Sequence, residues 1–244
     1  MYILSLDTTA KTAACAVCEF KEGRLSVLTQ LAVNSTLTHS ESLLPMVDFC
    51  LKNARIDFDS VELAAVSAGP GSFTGLRIGS ATAKGLGLAL KKPLVAIPTV
   101  EGLAYNLYDT QGIICPIMDA RRKQVYTGIY RFEDHRLRVL EDQMAVPMEE
   151  LISKLNKLGQ PVTFLGDGVS VFREMIRQEL AVPFAFAPAH INKQRAAAIA
   201  ALGMEYYREG KTQTAMEHVP DYLRVSQAER ERAEKLKIEN GENL

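Results

Sequence analysis

Two segments carry residue types that can handle phosphate. Asp7-Thr8-Thr9 ends an apolar run, and a carboxylate there can hold a magnesium-bound water beside phosphate oxygens. Residues 67–75, SAGPGSFTG, form a glycine-rich turn ahead of a helical pattern, where free backbone N–H groups can cradle an anion. Asp7, Gly69 and Gly71 are therefore the phosphate-proximal candidates. Neither segment completes a phosphate motif. The turn lacks the lysine and order of a P-loop and does not match GxGxxG. DTTAKT has no glycine where a phosphate needs close backbone approach. Thr8 and Thr9 can equally satisfy the backbone of a turn, and a structural or vestigial Asp7 is expected over a catalytic one.

Other chemistries lack their partners, and no catalytic residue is assigned. Of His39, His135, His190 and His218, none is paired at i,i+4 or set in a metal-ligand pattern with a carboxylate, so no metal site is expected. His39 is expected at the surface, capping a helix or touching a partner. Ser67, Ser72 and Ser80 occur without a GxSxG elbow. Cys15 and Cys18 have CxxC spacing, but in a strand pattern positions three apart point to opposite faces. With no second pair, Cys15, Cys18, Cys50 and Cys115 are expected to be buried free thiols. Arg121-Arg122-Lys123 forms a cationic turn that suits phosphate, a carboxylate, an acidic partner surface or plain solvent. In Asp221-Tyr222-Leu223-Arg224, Tyr222 and Leu223 are expected to anchor the segment and Arg224 to reach outward.

The elements that would position these groups alternate. Strands are expected over residues 2–6, 12–20, 25–33, 61–67 and 94–97, with helices over 40–52, 74–89 and 100–107. The second half starts again with strands over 113–118, 124–131 and 135–140. A helix over 148–158, a strand over 162–165 and helices over 169–180 and 193–207 follow. Hairpins feeding αβ crossovers give an α/β chain with mixed sheets and two related subdomains, residues 1–108 and 109–226. Residues 227–244 form a charged tail, read as a frayed helix or disordered.

Small residues recur every fourth position along the second helix: Gly75, Gly79, Ala83 and Gly87. Such a ridge lets another backbone approach. It can pack against the chain's own sheet or against a helix of a partner. Leu43, Leu44 and Val47 on the preceding helix suit the same interface.

Lys plus Arg total 28 and Asp plus Glu 29, a formal charge of -1, which gives no general reason to bind nucleic acid. The start MYILSLDTTA lacks a signal peptide's basic region, and no apolar run approaches the roughly 20 residues that span a bilayer. A cytoplasmic protein with no membrane contact is expected.

Six segments together resemble the bacterial TsaB family, also called YeaZ. They are LSLDTT (4–9), HSESLLP (39–45), SAGPGSFTGLRIG (67–79), AKGL (83–86), MDARRKQVY (118–126) and PDYLR (220–224). The resemblance implies an actin, hsp70 and sugar-kinase (ASKHA) fold. It also implies a role in forming threonylcarbamoyladenosine on tRNAs that read codons starting with A. In that family the chain is a non-catalytic scaffold for TsaD, the metal-binding paralogue that transfers threonylcarbamoyl to N6 of adenosine. The ATPase TsaE joins through the assembled complex, and tRNA is met mainly through that complex. Members also form homodimers through the TsaD-binding surface. No cofactor is expected for the isolated chain, with ATP or ADP at a complex interface and the metal in TsaD. His39 is kept where the paralogue has its metal-binding helix, but no second histidine follows it over residues 40–52. The rival reading is an ASKHA-type nucleotide-binding kinase or ATPase, drawing on Asp7, Gly69 to Gly75 and Gly166-Asp167-Gly168.

Overall fold

Short apolar strands separated by amphipathic helices can bury themselves only as sheets with helical covers. The computed structural model describes residues 1–34 and 38–224. The expected tail over 227–244 lies outside the described residues.

The first sheet contains β1 (Tyr2–Asp7), β2 (Ala13–Lys21), β3 (Arg24–Val33), β4 (Val61–Gly69) and β5 (Leu94–Pro98), in the order β3-β2-β1-β4-β5. Two hairpins make β1, β2 and β3 antiparallel neighbours, while β4 and β5 run parallel to β1. The parallel links need crossovers, supplied by α1 (His39–Ala54) and α2 (Phe73–Leu90). Both helices pack on one face, where Leu4, Leu6, Cys15 and Val17 meet Leu43, Val47, Ala83 and Leu86. Cys18 lies in the core of the opposite face. The strand spacing of Cys15 and Cys18 thus separates them as expected, and the four cysteines are buried free thiols.

The second sheet repeats the plan. It contains β6 (Ile113–Asp119), β7 (Gln124–Glu133), β8 (Arg136–Pro147), β9 (Val162–Leu165) and β10 (Phe184–Phe186), in the order β10-β9-β6-β7-β8. Read from its other edge, this is the first sheet's order. The crossovers are α4 (Met148–Leu158) and α5 (Gly168–Glu179).

The helix that follows each sheet serves the other. α3 (Thr99–Ala104) leaves β5 and places Val100, Leu103 and Ala104 against Ile114, Met118 and Leu165. α6 (Ala196–Arg208) follows the second sheet but covers the free face of the first, with Ile199, Ala200 and Met204 against Ile3, Ala14 and Leu63. The Ser5 hydroxyl donates to the Ala196 carbonyl at 2.7 Å. Past α6, Gln213 pairs with Leu94 at the edge of β5. A second unit running unbroken from residue 109 to 226 therefore needs correcting. α6, at residues 196–208, packs on the first sheet and covers that sheet's second face.

The small-residue ridge also needs correcting. Gly75, Gly79, Ala83 and Gly87 are buried on the side of α2 that faces its own sheet. A Cβ on Gly79 would lie 2.5 Å from the Thr8 hydroxyl oxygen and 3.9 Å from Val66. One on Gly75 would collide with the Thr8 carbonyl, and one on Gly87 would meet Leu94 at 3.0 Å. Packing on the chain's own strands accounts for these glycines, so they are not a free partner surface. Leu43 and Val47 are likewise core residues, whereas Leu44 is 57% exposed.

Candidate functional site

Between the two sheets lies a cleft of about 740 Å³. The first half contributes Thr9, Lys11, His39 and the turn around Ser72; the second contributes Asp119 to Arg122 and Asp167. Asp221 to Arg224 line it as well. This is where the candidate residues must be judged.

Asp7 is not part of the cleft wall and is 1% exposed. Its Oδ1 accepts from the Thr9 amide at 2.9 Å and the Thr9 hydroxyl at 2.7 Å. Its Oδ2 accepts from the Ser67 hydroxyl at 2.7 Å. Burial pushes the Asp7 carboxyl above its ordinary range, an effect that these donors only partly offset. The rest of the DTT turn is tied down too. Thr8 donates to the Gly75 carbonyl at 2.7 Å, and the Ser72 amide donates to the Thr9 carbonyl at 2.7 Å. Asp7 organises two turns from within and presents no oxygen to the cleft.

Gly69 and Gly71 have packing explanations. The Gly69 amide donates to the Thr99 hydroxyl at 3.2 Å and is not free for an anion. Gly69 has φ +128°, and a Cβ there would strike the Asp221 carbonyl. Gly71 does line the cleft, where a Cβ would come within 2.5 Å of the Thr9 carbonyl. Of the three phosphate-proximal candidates, Gly71 lines the cleft and Asp7 and Gly69 do not. His39 donates from Nε2 to the Ala10 carbonyl at 2.7 Å, fastening the start of α1 to the turn between β1 and β2.

On the opposite wall, Asp119 Oδ1 accepts from the Arg121 amide at 2.9 Å, and Asp167 Oδ1 accepts from the Asp119 amide at 3.2 Å. Burial, followed by the nearby Asp119 charge, raises the Asp167 pKa. Arg121, Arg122 and Lys123 have φ of 64°, 53° and 59°. Left-handed backbone costs a residue with a Cβ about 1–2 kcal/mol, and three in succession fold a tight tip onto the β6–β7 hairpin.

The last described residues cross the cleft. Tyr222 packs on Phe73 with ring centroids 4.9 Å apart. Arg224 donates to the Ala120 carbonyl, so it turns back to the second half rather than outward as its sequence position suggested. Sequence reasoning also missed His218, for which nothing in residues 214–220 is a signal. It is fully buried, with the Gln213 amide nitrogen 3.1 Å from Nδ1 and Ser80 Oγ 2.9 Å from Nε2. The Gln213 donor leaves the proton on Nε2, which then donates to Ser80. A serine nucleophile needs the reverse arrangement, so this pair is a structural tie.

Two sheets of matching strand order about a central cleft place the chain in the actin, hsp70 and sugar-kinase class. An inorganic polyphosphate/ATP-glucomannokinase from Arthrobacter shares the fold, with TM-score 0.50 at 12% identity, covering 85% of this chain and 99% of that one. A Pseudomonas aeruginosa protein, described as uncharacterized with similarity to peptidase YeaZ, superposes with TM-score 0.74 at 25% identity, covering 91% of this chain and 99% of that one. The family model "TsaD: tRNA N6-adenosine threonylcarbamoyltransferase" matches residues 34–232. The Bacillus subtilis "tRNA threonylcarbamoyladenosine biosynthesis protein TsaB" is 33% identical over 229 residues, 94% of this chain and 96% of that protein. The chain belongs to the TsaB (YeaZ) family. No described helix is long and apolar enough to cross a membrane.

Proposed function

We propose that this chain is a non-catalytic partner subunit in the formation of threonylcarbamoyladenosine on tRNA, binding a TsaD-type transferase through the outer face of α1 and α2. One observation carries the reading. Neighbouring helices expose large apolar side chains to solvent: Leu44 at 57%, Phe49 at 53% and Leu88 at 54%. Gly85, on the same outer side of α2, has no atom within 4 Å of where its Cβ would be. A contiguous exposed apolar patch marks a protein contact, and exposed apolar groups on two adjacent helices supply the elements of one. In this reading a second copy of the chain takes the same face in an isologous contact when the transferase is absent. The enclosed carboxylate of Asp7 supports a subunit that does no chemistry of its own. In this reading ATP or ADP, TsaE and tRNA are engaged by the assembled complex, and the metal belongs to the transferase.

The test is reconstitution of the modification from synthase, TsaD, TsaE, ATP and tRNA, with this chain or without it. Product formation is expected to depend on the chain, to persist in Asp7→Asn, and to fall together with TsaD binding in Leu44→Asp/Leu88→Asp. Product formed equally well without the chain, with all partners active, overturns the proposal. Unimpaired TsaD binding by the double variant overturns the assignment of the surface.

A further inference from the structure

Residues 211–224 leave α6 and run across the molecule as an irregular segment whose contacts divide cleanly between the two halves. On the first half, Gln213 pairs with Leu94 through N–H···O contacts of 2.8 and 3.0 Å. His218 is held by Ser80, and Lys84 donates to its carbonyl at 3.0 Å. The Asp221 amide donates to the Ala68 carbonyl at 2.7 Å, and Tyr222 lies on Phe73. On the second half, the Gln143 amide donates to Asp221 Oδ2 at 2.6 Å, and Arg224 donates to the Ala120 carbonyl.

The halves already meet at the base of the cleft, through the apolar cluster of Val100, Leu103, Ala104, Ile114, Met118 and Leu165. An apolar base of this kind can act as a hinge. The segment adds ties on the cleft side, where any hinge motion would be felt most. Its route is also built for close contact, because only a glycine at position 69 lets the Asp221 carbonyl lie against the end of β4.

We propose that residues 211–224 form a clasp that holds the two halves at one fixed angle, so that the cleft does not open and close. The clasp has firm anchors on β4, β5 and α2, and among the described residues its side-chain hydrogen bonds to the second half are Gln143–Asp221 and Arg224–Ala120. Cutting those two contacts frees the hinge and leaves every anchor on the first half in place.

The experiment measures the distance between spin labels placed one on each half of the full chain, at Lys52→Cys and Lys157→Cys, both on exposed helix surfaces, with the labelled chain diluted in an excess of unlabelled chain so that a second copy contributes no distance. The native thiols are buried and do not compete for label. A single narrow distribution is expected in the otherwise unchanged chain, moving to longer and broader distances in Gln143→Ala/Arg224→Ala. Amide exchange at residues 71–74 and 119–122 should quicken in the same variant while β1 and β4 stay protected. A broad distribution in the unchanged chain overturns the proposal. So does an unaltered narrow one in the double variant, which would mean that the apolar base alone sets the angle.

Discussion

Gly79 lies directly against the side chain of Thr8: a methyl group at Gly79 would sit 2.5 Å from the Thr8 hydroxyl oxygen, which itself donates to the Gly75 carbonyl. Position 79 therefore reports on packing between α2 and β1. Gly79→Leu is expected to lower stability by about 1–3 kcal/mol or more, through overpacking. Thermal or urea unfolding checks this. A variant as stable as the parent would show that α2 can move off the sheet.

Gly85 makes the opposite case on the outer side of the same helix. Its Cβ position meets nothing and its φ is ordinary, so Gly85→Ala is expected to stabilise the isolated chain by roughly 0.5–1 kcal/mol through helix propensity. Unfolding measurements read the gain. Weakened TsaD association by the same variant would mark close backbone approach at this point.

Asp7 should tolerate loss of its charge but not of its oxygens. Burial raises its pKa, so the ionised form is held at a cost at neutral pH. Asp7→Asn keeps an acceptor for both Thr9 donors and can re-pair with the Ser67 hydroxyl, and near-parental stability is expected. Asp7→Ala strands the donors from Thr9 and Ser67, at about 1–3 kcal/mol for each left unpaired. Comparing the two by denaturant unfolding separates charge from hydrogen bonding.

Acid should loosen the chain through His218. Burial, followed by the Lys84 ammonium, holds its pKa below the ordinary 6.5. Ser80 and Gln213 face the ring as neutral groups, and Lys84 is the cation nearby. The unfolded chain takes up a proton near pH 6.5 and the folded chain does so only at lower pH. The stabilisation is thus complete above pH 6.5 and is lost as pH falls towards the folded-state pKa, at up to about 1.4 kcal/mol per pH unit. Melting temperatures between pH 7.5 and 5 should fall more steeply in the parent than in His218→Gln.

Much of the first sheet was open to reading from sequence, because β1, β2, β4, α1 and α2 each carry a clear apolar period. The direction of the glycine ridge was not. Gly75, Gly79 and Ala83 share one buried arc of α2 with Leu76, Ser80 and Leu86, and a period of four names a face without saying what covers it. The exchange of α3 and α6 was hidden for a related reason: each helix shows an apolar stripe, and nothing local names the sheet that it will meet. Phe184–Phe186 is too short to register as a strand and pairs only along β9. His218 and the inward turn of Arg224 depend on contacts more than 100 residues away in sequence.

On the ribosome, β1 to β5 emerge long before α6. Until residues 196–208 have been translated, Ile3, Ala14, Leu63 and Ile97 on the underside of the first sheet have no cover. The nascent N-terminal half is then an open apolar platform, and a chain that stops before α6 has a route to aggregation rather than to a smaller folded unit. Folding of the first sheet is therefore completed only once α6 has arrived, after the second sheet, whose own core contains no residue of α6.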